Sequence, residues 1–293
     1  MILGDKVVLI TGASSGIGAA LAKTLASKHS GIRLILTSRD RTKLELVADK
    51  CRQNSAEVTV ISCDLSKLEE VKSLAQQAIA LYRKVDILVN NAGYGQMGAI
   101  ELIPPAEAEK QFAVNFHAPL VLAQELIPSM RSQGSGKIIN ISSLGGRIAF
   151  PAVGMYSCSK FALEALSDVL RMELKAFNIK VCVIEPGPVI TNFFKVANQK
   201  VQQNIPNSGK TVYAPIFENI EAIDRQLDLV GWSAEKTAKA MAKIIAKPNP
   251  KPRYILATGG NTLVFMMNKI FPTSVKDEFW RRFYGLHKII RDR

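Results

Sequence analysis

Cysteine and histidine are scarce in this chain and widely scattered. Cys51, Cys63, Cys158 and Cys182 have no paired spacing. They form neither a disulfide framework nor a metal clip, and they point to a reducing compartment. His29, His117 and His287 lie far apart, so no metal site is expected. No apolar run reaches the ~18 residues of a membrane-spanning helix. The best candidate, 263–271, is interrupted by Asn268 and Lys269. The first residues lead straight into a strand pattern, without a charged region and a long apolar core behind it, so no signal peptide is expected. Internal repeats and low-complexity segments are absent. Acidic residues are in deficit, leaving a formal net charge of +13. Residues 247–293 hold ten Lys and Arg against three Asp and Glu, so more than half of that excess sits in the tail.

What is present is enough for a core. The chain has 293 residues, 47% of them hydrophobic, which fits an ordered α/β protein rather than a disordered one. Strand patterns occur at 6–11, 32–37, 57–62, 86–90, 136–141 and 179–184, with a seventh at 253–257. Helical patterns fall between them at 16–29, 42–53, 65–82, 106–133 and 153–177, with Pro119 and Pro128 as expected bends or breaks in the fourth. This alternation predicts a doubly wound parallel sheet, the Rossmann arrangement, with right-handed crossovers. Residues 1–260 are expected to form the single catalytic domain. Within it, 192–230 is too long and mixed for an ordinary connection and reads as a substrate loop. Ser233 is expected to cap a helix running to Ala246, and the proline-rich 248–252 reads as a rigid linker. Residues 261–293 read as a basic, amphipathic extension.

Two features carry chemistry. Tyr156 and Lys160 are four residues apart, which on a helix places phenol and ammonium on one face. A lysine charge beside a phenol lowers the tyrosine pKa, and a tyrosine so tuned can exchange a proton with an alcohol or carbonyl oxygen. The second feature is Gly12, Gly16 and Gly18, between the first strand and the first helix, where Ser14, Ser15 and Ile17 also fall. Glycines there permit a tight turn and close approach of a phosphate to a helix N-terminus. Their spacing differs from the general dinucleotide fingerprint. At the end of the second strand an NAD site needs a carboxylate for the ribose 2′-hydroxyl. Ser38 stands there instead, and Arg39 can meet a 2′-phosphate. NADP(H) is therefore expected in preference to NAD(H).

Thr11-Gly-x-x-x-Gly-x-Gly18, Asn90-Asn-Ala-Gly93, Asn115, Ser143, Tyr156-x-x-x-Lys160 and Pro186-Gly187 resemble, in order and spacing, the motifs of the short-chain dehydrogenase/reductase family. The resemblance runs from about residue 4 to residue 190, and Val183-Ile-Glu-Pro-Gly-Pro188 and the basic tail look most like its 17β-hydroxysteroid and retinol dehydrogenase branch. It implies an oxidoreductase in which Tyr156 is the acid or base, and Lys160 binds the nicotinamide ribose and lowers the Tyr156 pKa. Ser143 would steady the carbonyl oxygen, and Asn115 would bend its helix and hold a water. Asp64, with Leu65 beside it, would meet the adenine, and Asn91, Ala92 and Gly93 would line the adenosine side. Val189 and Thr191, after Pro186 and Gly187, would hold the carboxamide. Cys158 reads as packing rather than chemistry.

Substrate residues are expected among Ser143, Leu144, Met155 and Phe193, with Met97, Phe150 and Val153 nearby. Their apolar character points to a lipophilic sterol, retinoid or long-chain carbonyl, and so to lipid metabolism. The tail from Phe279 to Arg291 has two readings: a basic helix on an anionic membrane surface, or a helix docked on its own domain. A cytoplasmic enzyme, alone or peripheral on a membrane and as homodimer or homotetramer, fits either reading. No nucleic-acid motif accompanies the charge. A competing reading keeps the fold as a non-catalytic NADP sensor or a membrane-associated scaffold. The complete Asn115, Ser143, Tyr156 and Lys160 set argues against it.

Overall fold

The apolar runs of the chain become the strands of one sheet. The computed structural model describes residues 3–218 and 230–289. Its strands are β1 (Val7–Thr11), β2 (Arg33–Ser38), β3 (Glu57–Ser62), β4 (Ile87–Asn90), β5 (Gly136–Ile141), β6 (Ile179–Pro186), β7 (Val189–Ile190), β8 (Trp232–Ser233) and β9 (Arg253–Leu256). The main sheet has seven parallel strands in the order β3-β2-β1-β4-β5-β6-β9. β7 and β8 form a separate two-stranded ribbon. β1 is buried throughout, as a strand covered on both faces must be, and that is why it reads as an unbroken apolar run.

Helices cover both faces. α1 (Gly16–Lys28), α2 (Arg41–Arg52) and the helix Ala234–Ile245 enclose one core with Val8, Ile10, Leu34 and Leu36. α3 (Leu68–Tyr82), α5 (Ala118–Ser132) and α6 (Gly154–Glu173) enclose the other with Val7, Leu9, Ile35 and Leu88. The strand order reverses between β1 and β4, so a crevice opens at the carboxyl ends of these strands.

Several elements depart from the sequence pattern for identifiable reasons. α3 starts at Leu68, not Leu65, because Asp64 Oδ1 accepts from the Ser66 amide at 3.0 Å and holds a turn there. The long helical stretch is α4 (Pro105–Phe112), a π turn over Ala113–His117, and then α5. Pro119 has no N–H for the Asn115 carbonyl, and the ladder widens at that place. Pro128, expected to bend or break the stretch, stays inside α5. The segment 192–230, read from the sequence as a substrate loop, is partly regular: α7 occupies Phe193–Asn204, while 219–229 lies outside the described residues. Ser233 does cap its helix, its hydroxyl accepting from the Lys236 amide at 3.1 Å.

The tail also differs. A short helix, Gly260–Phe265, runs into a π turn over Met266–Ile270, and Thr273–Phe283 forms a further helix. The near-helical spacing of apolar residues continues past Phe283, but the helix stops there. Gly285 at φ +76° takes the left-handed conformation that ends helices. The residues after Ile289 lie outside the described part. Among the described residues no helix is long and apolar enough to cross a membrane.

Candidate active site

The crevice is a cleft of about 1290 Å³. Its floor is the turn after β1. Gly12 adopts φ +66°, and a Cβ there would lie 2.9 Å from the Ala92 Cα. The loop after β4 therefore closes against this turn only if residue 12 is glycine. Thr11 Oγ1 accepts from the amides of Asn91 and Ala92, each at 3.0 Å, and Asn91 Nδ2 donates to the Thr11 carbonyl at 2.9 Å. Ser14, Ser15, Gly16 and Ile17 line the cleft at the start of α1. The Ser15 hydroxyl makes no capping bond. Gly18 does not line the cleft. A Cβ there would meet the Gly12 carbonyl oxygen, so this glycine seats α1 on the turn.

Arg39 extends from the end of β2 into the cleft wall, next to Ser38 and Lys43. Among the described residues its guanidinium forms no ion pair. Asp40 is engaged elsewhere. Its carboxylate caps α2 through the Lys43 amide at 3.0 Å and pairs with the Lys43 ammonium at 2.8 Å. Asp64, Leu65, Asn91, Ala92 and Gly93 line the cleft from the loops after β3 and β4, and Pro186, Gly187, Val189 and Thr191 line it from the end of β6 and just beyond.

Between them stand Ser143, Tyr156 and Lys160. Ser143 lies just after β5, where its hydroxyl accepts from the Gly145 amide at 3.1 Å. Tyr156 lies near the start of α6, in contact with the Ser143 hydroxyl and edge-on to Phe193 with ring centres 5.4 Å apart. Lys160, one turn on, is buried and donates to the Ile141 carbonyl at 2.8 Å. Asn115 stands behind Gly93 rather than in the cleft wall. A Cβ on Gly93 would lie 3.3 Å from both Asn115 Oδ1 and Lys160 Nζ. The Asn115 amide donates to the Tyr94 carbonyl and to Ser159 Oγ, each at 3.0 Å, and accepts from the Tyr94 amide at 3.1 Å. Those bonds tie the π turn to the loop after β4 and to α6.

The electrostatics correct one expectation. Burial pushes the Tyr156 phenol above its ordinary range, and the Ser143 hydroxyl only partly opposes this. Lys160 does not bring it down: its ammonium is 5.8 Å from the ring centre and turned to the Ile141 carbonyl. Burial lowers Lys160 itself to about 8, with Glu164 opposing. Sequence spacing predicts the pairing of charges, but removal of both groups from water is the larger effect.

Beyond Tyr156 the cleft is apolar and aromatic. Leu144 and Phe193 stand there, as do Met97, Phe150 and Val153. Met155 does not; one residue before Tyr156, it is rotated about 100° around α6 and misses the cleft. Cys158, two residues past Tyr156, is solvent-exposed and not packed. The tail supplies what the sequence pattern does not reveal. Leu263, Phe279, Trp280, Phe283 and Tyr284 form the outer wall. Trp280 meets Phe150 edge-on at 4.8 Å, and such a pair is worth about 0.5–1.5 kcal/mol beyond the area it buries. The available signal was Trp280 and Tyr284, one helical turn apart and free of charge.

The sequence profile described as short chain dehydrogenase matches residues 6–202. A Helicobacter pylori protein named probable short-chain type dehydrogenase/reductase VdlC is 33% identical over 281 residues, 94% of this chain and 96% of that one. The 3-ketodihydrosphingosine reductase of Bacteroides thetaiotaomicron is 31% identical over 281 residues, 96% of this chain and 98% of that one. A metagenomic short-chain oxidoreductase solved in complex with NADP superposes with a TM-score of 0.69 at 29% identity, covering 87% of this chain and 97% of that one. The chain belongs to the short-chain dehydrogenase/reductase family. It is an oxidoreductase of that family, whose members bind a nicotinamide cofactor.

Proposed function

We propose that the protein is an NADP(H)-dependent reductase of lipophilic ketones or aldehydes, with Tyr156 as the acid and base. The observation that carries the reading is the position of Tyr156 between two unlike halves of one cleft, a glycine-floored polar half and an aromatic half. The polar half fits a dinucleotide. Gly12 and Gly93 keep its floor free of side chains, Ser14 and Ser15 offer hydroxyls at a helix N-terminus, and Arg39 offers a cation at the far end. The NADP complex of the metagenomic relative supports the same choice. When bound, the nicotinamide would give or take the hydride. Lys160 and Asn91 to Gly93 would hold the ribose and adenosine portions, and Val189 and Thr191 the carboxamide. Ser143 would hold the substrate oxygen beside Tyr156. A phenol whose pKa is raised keeps its proton at neutral pH, and that is the form needed to protonate a carbonyl oxygen.

The aromatic half supports a sterol, retinoid or long-chain carbonyl. The Bacteroides relative, named for a 3-keto lipid substrate, supports a long-chain ketone among these. NADPH consumption measured over ketones and aldehydes of rising chain length tests the reading. We expect kcat/KM to climb with chain length. Equal rates for short and long substrates would remove the lipophilic assignment.

We also propose that the tail brings the cleft to anionic lipid. Val275, Phe279 and Phe283 follow one another at single turns and are exposed, as are Phe265 and Ile270, while Trp280 and Tyr284 face the protein. Lys269, next to Ile270 in the chain, and Lys288 add basic charge to this tail, and basic residues near an anionic bilayer contribute about 1 kcal/mol each. The intact chain should sediment with anionic vesicles at low salt and be released at high salt. Phe265→Ser with Ile270→Ser, both outside the cleft wall, should weaken that binding. A chain that stays in the supernatant under all conditions is not a lipid-surface protein.

For self-association the support is α6, where Phe161, Val169 and Met172 are exposed along one side and fit a homodimer or homotetramer. Light scattering on the intact chain reads the copy number, and a monomer ends that reading.

A further inference from the structure

Trp280 stands where two packed clusters meet. One is built around Met97, Ala152 and Tyr284, and the other around Leu144, Ile148 and Val264. Among the described residues, Phe150 and Trp280 are the two that pack against both. Their rings meet edge-on, with centres 4.8 Å apart and planes at 90°. Both line the cleft. The seam between the segment that follows Ser143 and the tail is therefore closed where these two rings touch.

Trp280 has little room to yield. Its indole also packs against Phe279 at 4.7 Å, Phe283 at 5.7 Å and Tyr284 at 6.1 Å between ring centres. Tyr284 is buried, and its amide donates to the Trp280 carbonyl at 2.9 Å. Ahead of the helix Thr273–Phe283, Asn268 Nδ2 donates to the Arg147 carbonyl at 3.1 Å and ties the tail to the turn after Ser143. A close-packed wall held on both sides of the indole does not shift by the width of a ring to admit a larger ligand. The wall also begins near the chemistry. Leu144, in the second cluster, follows Ser143 directly in the chain, and Ser143 carries the hydroxyl proposed to hold the substrate oxygen.

We infer that Trp280 is a specificity-determining residue: its indole, seated against Phe150, closes one side of the substrate half and favours open-chain carbonyl compounds over those with a ring or branch next to the carbonyl. An open chain can run along the aromatic wall, whereas a ring beside the reacting carbon needs width on the side that the indole fills. The inference rests on the proposed reduction of lipophilic carbonyls by Tyr156 and narrows it to one substrate class. A hydrophobic pocket discriminates about 10–200-fold for a single methylene, and an indole occupies far more space than that.

The test compares two ketones of equal carbon number, a straight-chain methyl ketone and one with a cyclohexyl ring on the carbonyl carbon. NADPH consumption gives kcat/KM for each, without vesicles, so that lipid binding by the tail does not enter. Equal carbon number separates this test from the dependence on chain length. The intrinsic reactivities of the two ketones cancel when the ratio of their kcat/KM values is compared between proteins. Trp280→Ala should move that ratio toward the cyclohexyl ketone by about tenfold or more. Trp280→Phe, which keeps a smaller ring against Phe150, should fall between. Should Trp280→Ala fail to fold, Phe150→Leu opens the same seam from the other side and should move the ratio in the same direction. A purely structural role for Trp280 would depress both ketones alike. A ratio that stays in place in a folded variant, or moves toward the straight chain, overturns the inference. Failure of the unaltered chain to reduce either ketone with NADPH would instead strike the proposed function, and this inference with it.

Discussion

Tyr156→Phe should abolish turnover and leave NADPH binding close to intact. The change removes one oxygen from a ring that stays in place, edge-on to Phe193 and against the turn holding Gly145. What disappears is the transferable proton and the partner of the Ser143 hydroxyl. A general acid contributes ~10²–10⁴-fold in rate, and the loss in kcat should reach at least that range. Steady-state NADPH consumption gives kcat, and fluorescence titration gives the cofactor Kd. The raised pKa of the phenol adds a direction in pH. Reduction needs the protonated form, so activity should persist through neutral pH and fall on the alkaline side as the proton is lost. A Phe variant that keeps most of its activity would remove Tyr156 from the chemistry.

Arg39→Ala should narrow the preference for NADPH over NADH by about tenfold or more, since a hydrogen bond to a charged group is worth roughly 1.5–3 kcal/mol. The structure sharpens the expectation. Among the described residues Arg39 forms no ion pair, so its guanidinium can meet a phosphate without first breaking one. Lys43 lines the same wall but is held by Asp40 at 2.8 Å, and it should replace Arg39 only in part. NADH affinity should change little, because the lost cation has no phosphate to meet at the ribose. Titration of both cofactors against both proteins decides the matter. An unaltered ratio would mean that the 2′-phosphate is read by another group.

Much of the fold was legible because its signals are local. A parallel strand buried on both faces must be an apolar run, and β1 is one. A helix that starts on a glycine turn must leave room for its own backbone, and Gly12 and Gly18 do so. The structure departs from the local pattern where a single residue decides the backbone around it. Asp64 holds the turn that delays α3, and Gly285 ends the tail helix. Met155 shows the reach of a one-residue offset: it is adjacent to Tyr156 in sequence but faces away from the cleft.

The sequence by itself determined the sheet, the glycine turn, the helical step from Tyr156 to Lys160 and the placing of Arg39 at the end of β2. Each follows from periodicity or from backbone sterics within a few residues. Only the tertiary structure decided the rest. It brought Phe279, Trp280 and Tyr284 across to Phe150 and made a basic tail into a cavity wall, a contact between segments some 130 residues apart in the chain. It also decided the protonation of the site. The pKa of Tyr156 depends on how completely the surrounding protein replaces water, and burial is set by all the elements that pack around α6. Burial acts in the same way on the carboxyl of Glu185, beside which Glu164 also lies buried. Arg253, from the far edge strand, brings these two carboxylates into one buried ion-pair cluster, because a guanidinium can satisfy more than one acceptor at once.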